Sequence, residues 1–325
     1  MDTSYKSVVL LAILIAHALT TIAAKQSAQQ SHSQVPPKNA EQVLLNVTVT
    51  DKAGGFVVGL KPEDFEISID KKTAQVISLS NADSPVSVGI VFDSSGSMAG
   101  RSENKATKNF SVLRQALRQF LELSNHSNEY FLLGFNNKPQ LLLDWTSEPL
   151  TIVDRFNDLH IYGSTALYDA CYVAVNKVQN GRHAKRALIL ISDGQDNISQ
   201  YSFNELRELL RETDVLLYSM HFPIDPDLSS LGMEGLAILD ELSSISGGRA
   251  FFTKGGTPLK LKDANTAFET IATELRSQYT VSIVPGVPSA SKKWRKIRVK
   301  VNLPAGAPSQ MKGLAARTRQ GFYAH

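Results

Sequence analysis

The sequence predicts an α/β fold, a doubly wound and mostly parallel sheet flanked by helices, with a small β-sandwich-like domain formed from the N- and C-terminal segments. Two observations predict this fold. Apolar strand candidates alternate with amphipathic helix candidates in the middle of the chain, and the segments before and after show strand patterns alone. Such alternation is typical of a parallel sheet covered by helices on both faces.

Size and composition agree with this fold class. The chain has 325 residues, of which 42% are hydrophobic, and so has room for about two domains. The formal net charge of +3 is too small to indicate a nucleic-acid-binding protein. Basic residues concentrate near the C-terminus, but Lys296, Arg298 and Lys300 alternate with apolar residues. That period of two predicts the solvated face of a half-buried strand.

The N-terminus predicts export. Lys6 precedes an apolar stretch at residues 8–18, and small residues follow at 21–24, so residues 1–24 are typical of a secretory signal peptide. The stretch is shorter than the roughly 20 apolar residues of a membrane span, although an uncleaved anchor stays open as an alternative. Residues 25–40, rich in Gln, Ser and Pro, predict a disordered linker. We expect an extracytoplasmic protein, periplasmic or secreted, without stable membrane insertion after cleavage.

The N-terminal β segment, residues 41–82, comes next. Alternating apolar residues predict strands at 44–50, 65–69 and 76–79, and no helix is expected there.

The central domain is assigned to residues 83–277. Its strand candidates are residues 86–92, 129–135, 140–143, 187–192, 215–221 and 250–253, and its helix candidates are residues 105–123, 152–159, 167–179, 203–213, 236–246 and 264–277. Ser202 and Glu205 form a capping box at the start of the fourth helix, and Gly247 is a natural stop for the fifth.

The C-terminal β segment, residues 278–325, again contains strands only, at 279–284, 296–301 and 313–317. Neither end segment is large enough to bury a core alone. We therefore expect residues 278–325 to pair with residues 41–82, which would bring Val47 close to the strand around Val299.

Three segments supply oxygen ligands at the ends of predicted strands or the start of a helix. Asp93, Ser95 and Ser97 alternate in a turn after the first buried strand, Thr165 precedes a helix, and Asp193 follows another strand. Ligands bind outside the carboxyl ends of the strands in open α/β sheets. Two carboxylates and three hydroxyls suit a hard cation such as Mg²⁺, which takes oxygen ligands and keeps some of its waters.

The D-x-S-x-S turn alone is weak evidence, because serine-rich turns commonly satisfy only backbone groups. The three segments together resemble the metal-ion-dependent adhesion site of von Willebrand factor A domains, written D-x-S-x-S, then T, then D. Residues 43–324 more narrowly resemble a bacterial group of such proteins first described as acidobacterial-related. The segments that carry this resemblance are LKPEDF (60–65), TALYDA (165–170), SDGQDN (192–197), GGRAF (247–251), LRSQY (275–279) and RQGFYA (319–324). Ser164 departs from the group, which often has a second glycine there.

The resemblance implies that Asp93, Ser95, Ser97, Thr165 and Asp193 hold a divalent cation, with Mg²⁺ favoured and Mn²⁺ or Ca²⁺ left open. It also implies metal-dependent adhesion or protein–protein interaction, in which an Asp or Glu carboxylate of a protein partner completes the metal's ligand shell. The alternative is a scaffold or assembly subunit of an extracytoplasmic complex, with a purely structural metal. We expect no enzyme, because the sequence lacks a phosphate-binding P-loop, a G-x-S-x-G nucleophile elbow and an evident base.

Other polar residues are expected to have simpler roles. The single histidines, among them His126, His160, His183 and His221, are expected on the surface or in loops. Cys171 is expected to be a buried thiol without a disulfide. Asp169 or Asp196 could orient a ligand or a water from behind the site, whereas Asp169 near a helix start could equally complement the helix dipole. Asp225, Asp227 and Glu234 lack the spacing of a calcium loop.

Overall fold

The structure is a computed structural model, and it describes residues 42–99, 103–221, 230–252, 261–286, 293–302 and 313–323. The predicted signal peptide, the predicted linker and the Asp225–Asp227 segment lie outside these residues. None of the helices in the described ranges is long and apolar enough to cross a membrane.

The described residues form strands and helices in the expected order. The strands are β1 (Val43–Thr50), β2 (Phe65–Ile69), β3 (Lys72–Thr73), β4 (Gln75–Ser80), β5 (Val86–Asp93), β6 (Glu129–Phe135), β7 (Pro139–Thr146), β8 (Lys185–Ser192), β9 (Leu216–His221), β10 (Ala250–Phe251), β11 (Tyr279–Val284), β12 (Trp294–Val301), β13 (Ala315–Arg317) and β14 (Gly321–Tyr323). The α-helices are α1 (Glu103–Leu123), α2 (Pro149–Arg155), α3 (Leu167–Gln179), α4 (Phe203–Glu212), α5 (Ser230–Ser246) and α6 (Leu261–Ser277).

The central sheet has the strand order β10-β9-β8-β5-β6-β7. All neighbours are parallel except β6 and β7, which pair antiparallel. Strands β5 and β6 are buried along their whole length, because helices cover both faces. One apolar core lies between the sheet and α1, α2 and α6, and a second lies between the sheet and α3, α4 and α5. The predicted fold class is therefore confirmed.

The two end segments build two further four-stranded antiparallel sheets, ordered β13-β1-β11-β4 and β14-β12-β2-β3. Val47 on β1 stands opposite Tyr279 on β11, and Ile67 on β2 stands opposite Val299 on β12. A third apolar core contains Val47, with Val299 packed against it. Strands from the start and the end of the chain thus share one core. As the alternation predicted, Lys296, Arg298 and Lys300 are exposed.

Some element boundaries differ from the prediction. Helix α5 begins at Ser230, not at residue 236, because tertiary packing outweighs the low helix propensity of its two glycines. Helix α2 begins at Pro149, where a proline is well tolerated, and ends in a short 3₁₀ turn at Phe156–Asp158. The N-terminal segment, expected to be free of helices, contains a single 3₁₀ turn at Pro62–Asp64. Strands β3 and β14, of two and three residues, were not predicted.

A buried polar network ties the end sheets to the central domain. The carboxylate of Glu274 on α6 is fully buried and accepts hydrogen bonds from Tyr218 on β9 at 2.8 Å and Thr48 on β1 at 3.0 Å. Arg317 on β13 donates to the same oxygen at 2.5 Å. One carboxylate thus connects four elements.

Candidate metal centre

The first candidate ligands lie in a turn at the end of β5. The Asp93 side chain is buried, and its Oδ1 accepts the backbone N–H of Ser95 at 2.9 Å. Ser94 fastens the turn to β6 by donating its N–H and its hydroxyl to the carbonyl of Phe135, at 2.7 and 2.9 Å. The chain then enters a 3₁₀ turn at Gly96–Ala99, which contains Ser97, and the N–H of Met98 donates to the carbonyl of Ser95 at 3.0 Å.

Asp193 directly follows β8, the parallel neighbour of β5. Its Oδ1 accepts the backbone N–H of Gln195 at 3.0 Å. Ser192 links the two acidic residues, because its hydroxyl donates to Asp93 Oδ2 at 2.7 Å and accepts the N–H of Gly194 at 3.0 Å. Asp93 and Asp193 are thereby held at the same edge of the sheet.

Thr165 lies in a loop that backbone hydrogen bonds tie to the Asp93 turn. Tyr162 donates its N–H to the carbonyl of Ser94 at 3.0 Å, and Gly96 donates its N–H to the carbonyl of Gly163 at 2.9 Å. Because these bonds fix the loop two to three residues before the threonine, Thr165 is brought to the edge where Asp93 and Asp193 lie.

Two asparagines clamp this loop from either side. Asn197 accepts the N–H of Thr165 on its side chain at 2.9 Å and donates its own N–H to the Thr165 carbonyl at 3.0 Å. Asn137 accepts the N–H of Ser164 at 2.7 Å. Ser164, the residue that departs from the pattern of the bacterial group, thus takes part in this clamp through its backbone N–H.

Helix α5 supports the Asp193 turn through a close glycine contact. Gly194 has a φ of +81°, which favours glycine, and a Cβ there would lie 2.3 Å from the carbonyl oxygen of Gly235. A Cβ on Gly235 would lie 2.5 Å from the carbonyl oxygen of Asp193. Only glycine allows the helix backbone to pack this closely against the turn.

The electrostatics of the site favour a cation. Burial and the nearby negative charge of Asp193 raise the pKa of Asp93. Two carboxylates that repel each other in a buried setting are stabilised by a positive charge between them.

The hydroxyls fit the same ion. Ser95 Oγ and Ser97 Oγ lie 3.0 Å apart and form a hydrogen bond with each other, a separation that is also compatible with two ligands of one ion. Adjacent oxygens of an octahedral Mg²⁺ shell with bonds of 2.0–2.1 Å would stand about 3.0 Å apart. Within the described ranges, no three His, Cys, Asp or Glu side chains cluster so as to hold a metal ion. The five candidate ligands are two carboxylates and three hydroxyls, and oxygen donors of this kind suit a hard cation better than a soft one.

Asp169 and Asp196, the two acidic residues considered above for orienting a ligand or a water, form hydrogen bonds next to the site. Asp169 accepts the backbone N–H groups of Gln200 and Tyr201, both at 2.9 Å. Asp196 accepts the hydroxyl of Ser199 at 2.5 Å and the N–H of Tyr168, in the first turn of α3, at 3.2 Å. Both carboxylates order the 196–201 loop against α3.

The prediction for His221 is wrong. This histidine is buried at the end of β9, opposite Ser192 in the sheet, and is not at the surface. Burial lowers the pKa of His221 to about 4. Cys171, by contrast, is buried and free as predicted.

Exposed apolar side chains lie on two of the loops that build the site. Tyr162, beside the Gly163 loop, is 57% exposed, and Ile198, beside Asn197, is 49% exposed. Tyr201 is also exposed and stacks on Tyr172 with ring centroids 3.7 Å apart. Exposed apolar groups around a polar centre are typical of a protein-binding surface.

Sequence reasoning missed Ser192, Asn197 and Asn137, which hold the ligand-bearing loops. Ser192 and Asn197 lie within the SDGQDN segment that carried the family resemblance. Their position next to Asp193 was therefore an available signal. Asn137 offered no comparable signal, because its partner, Ser164, is 27 residues away.

Comparison with known proteins gave one family. Residues 88–195 match the family model of the von Willebrand factor type A domain. None of the curated proteins matches the chain.

Several solved structures are similar to the chain. The PilB minor pilin from Streptococcus sanguinis matches 60% of the chain at 15% identity and a TM-score of 0.48, and the chain spans 62% of that pilin's length. The von Willebrand factor domain of the type V pili tip protein Mfa5 from Porphyromonas gingivalis matches 59% of the chain and 95% of its own length, at 12% identity and a TM-score of 0.46. A von Willebrand factor type A protein from Catenulispora acidiphila matches 87% of the chain and 75% of its own length, at 12% identity and a TM-score of 0.47.

Proposed function

The chain contains a von Willebrand factor type A domain, and from this premise we propose that it is an exported protein that mediates divalent-metal-dependent adhesion or protein–protein interaction. Asp93, Ser95, Ser97, Thr165 and Asp193 are the proposed metal ligands, and Mg²⁺ is the proposed ion. When bound, the cation supplies a Lewis-acidic position for a carboxylate of a protein partner. The protein is proposed to act in recognition, without catalysis.

The observation that carries the proposal is that hydrogen bonds tie the three ligand-bearing loops together at one sheet edge. The charge repulsion between the carboxylates of Asp93 and Asp193 supports a cation there. The proposed roles of the supporting residues follow from their bonds. Ser192 orients the Asp93 carboxylate, and Asn197 holds the Thr165 backbone in place.

The surroundings favour a protein as the partner over a small molecule. A carboxylate alone would need only the charged centre, whereas the exposed Tyr162 and Ile198 offer apolar contact area on loops that build the site. Aromatic and aliphatic groups beside a polar anchor are common in protein–protein interfaces.

Direct metal binding is the first test. Titration of the metal-free protein with Mn²⁺ and Mg²⁺ should show one site, and Thr165→Ala should weaken it. Ser164→Ala is the matched control, because it removes a neighbouring hydroxyl of the same loop that is not a proposed ligand. Equal affinity in the wild type and Thr165→Ala would contradict the proposed ligand set.

Partner capture is the second test and separates recognition from a structural metal. The protein is used as bait in an extracytoplasmic extract with Mg²⁺, with EDTA, and as the Asp93→Ala and Thr165→Ala variants in Mg²⁺. A partner lost in EDTA and in both variants supports metal-mediated recognition. A partner retained in all three, with a melting temperature that rises strongly on metal addition, would instead indicate a scaffold with a structural metal.

A further inference from the structure

A groove of about 520 Å³ lies away from the candidate metal centre, between the end of α5 with β10 and the strands β12 and β13. Its volume falls in the range of about 300–1,000 Å³ that is usual for small-molecule sites, which often form where two parts of a fold meet. The central domain contributes Asp240 and Arg249, and the end sheets contribute Arg298, Arg317 and Arg319.

The lining of the groove carries an excess of positive charge. Four arginines line it against one carboxylate, that of Asp240. The charge of Arg317 is balanced by Glu274. Arg319 donates to the carbonyls of Thr213 and Leu44, both at 3.3 Å, and the carboxylate of Asp214 lies near enough to interact with its charge.

Two of the arginines are available to a ligand. Arg249 and Arg298 are exposed, and within the part of the chain that the structure describes neither guanidinium has an ion pair. Arg298 also lines a neighbouring cavity, together with Glu66 and Asp70. The guanidinium carbon of Arg249 lies 5.7 Å from the centroid of the Phe251 ring, within the range of a cation–π contact. Such a contact with a ring face does not use the N–H groups of the guanidinium as hydrogen-bond donors.

The walls between these arginines suit a small ligand. Gly248, Ala250 and Ala316 present little side-chain bulk. Planar guanidinium groups bind carboxylate and phosphate oxygens through charge-assisted hydrogen bonds. We propose that this groove binds a small organic anion through a carboxylate or phosphate group, with Arg249 and Arg298 as the charge-pairing residues.

The test is calorimetric titration of the full chain at low ionic strength, after metal and chelator have been removed by dialysis. The probes are inorganic phosphate, succinate and the uncharged analogue succinamide. The variants are Arg249→Gln, Arg298→Gln and the double variant. Arg118→Gln is the matched control, because it removes the same charge from an exposed position on α1. Thermal unfolding of each variant checks that it is folded.

We expect phosphate or succinate to bind with a dissociation constant below about 1 mM, and the double variant to bind about tenfold more weakly or worse. Arg118→Gln should not weaken the binding of phosphate or succinate. Any binding of succinamide should not depend on Arg249 or Arg298. Binding of phosphate alone or succinate alone would support the site and identify the preferred oxyanion. Absence of binding by both anions, or equal weakening by Arg118→Gln and the double variant, would overturn the proposal.

Discussion

Individual hydrogen bonds decide how the candidate metal centre is held, and Ser192 is the clearest case. Its hydroxyl bonds the buried Asp93 carboxylate and also receives the Gly194 N–H. Ser192→Ala leaves both groups unsatisfied, and we expect a loss of about 1–3 kcal/mol in the free energy of unfolding together with weaker metal binding. Urea unfolding and metal titration measure the two effects.

The control for Ser192→Ala is Ser127→Ala, which removes an exposed hydroxyl. Ser127→Ala should leave the free energy of unfolding and the metal affinity close to those of the wild type. Unchanged metal affinity in Ser192→Ala would show that Asp93 does not need this bond to bind the ion.

His221 makes the stability of the protein depend on pH. Burial lowers the pKa of His221 to about 4, from 6.5 in a free chain. Because the unfolded chain binds the proton more readily, the neutral histidine's contribution is complete above about pH 6.5 and is lost as the pH falls towards 4. The loss should reach up to about 3 kcal/mol.

The check is the free energy of unfolding of the wild type and of His221→Gln between pH 4 and 7. The difference between the two proteins isolates this histidine from the other titrating groups. The wild type should lose stability relative to the variant as the pH falls. If the free energies of unfolding of the two proteins changed in parallel with pH, the prediction would be contradicted.

At this scale the sequence predicted the five candidate ligands, because their residue types and order follow a known motif. It did not predict the burial of His221, since a lone histidine at the end of a strand has the same pattern whether or not loops cover it. Nor did it predict the clamp on Thr165, because Asn197 meets it only after the chain has folded.

At the scale of elements, the position of the Asp193 turn depends on its close contact with helix α5. Gly235→Ala would place a Cβ 2.5 Å from the Asp193 carbonyl oxygen, so the helix or the turn must shift. We expect a cost of about 1–3 kcal/mol from this overpacking. Metal affinity should also fall, because Asp193 moves with the turn.

Thermal unfolding and metal titration of Gly235→Ala provide the measurement. Met233→Ala is the control on the same helix, at a side chain that is 58% exposed. If Gly235→Ala lowered stability without changing metal affinity, the prediction would be contradicted, and helix α5 would have shifted while the Asp193 turn stayed in place.

Element types and order could be predicted, since long apolar runs and amphipathic periods identify strands and helices without tertiary information. Boundaries were less predictable where packing overrides local preference. The glycines of α5 weaken its helix signal, yet Gly235 is needed there for the close contact with Gly194. Short edge strands such as β14 have too few residues to show a period and form only because β12 offers a partner.

At the scale of the whole molecule, the network around Glu274 should make the central domain and the end sheets unfold together. Arg317→Met leaves the buried Glu274 carboxylate without its charged partner, which typically costs about 3–5 kcal/mol. Glu274→Gln combined with Arg317→Met removes the isolated charge and should recover part of that loss. Arg118→Met, which breaks an exposed ion pair with Glu122, should cost about 1 kcal/mol or less.

Urea unfolding of the four proteins, followed both by far-ultraviolet circular dichroism and by the fluorescence of Trp145 and Trp294, tests this coupling. Trp145 lies in the central sheet, and Trp294 lies on β12 in the end sheets, so single-tryptophan variants report on each part. Coincident transitions that shift together in Arg317→Met are expected, because Glu274 bonds residues from both parts. A transition at Trp294 that moves alone would show that the end sheets unfold independently, and would confine the effect of the Glu274–Arg317 pair to those sheets.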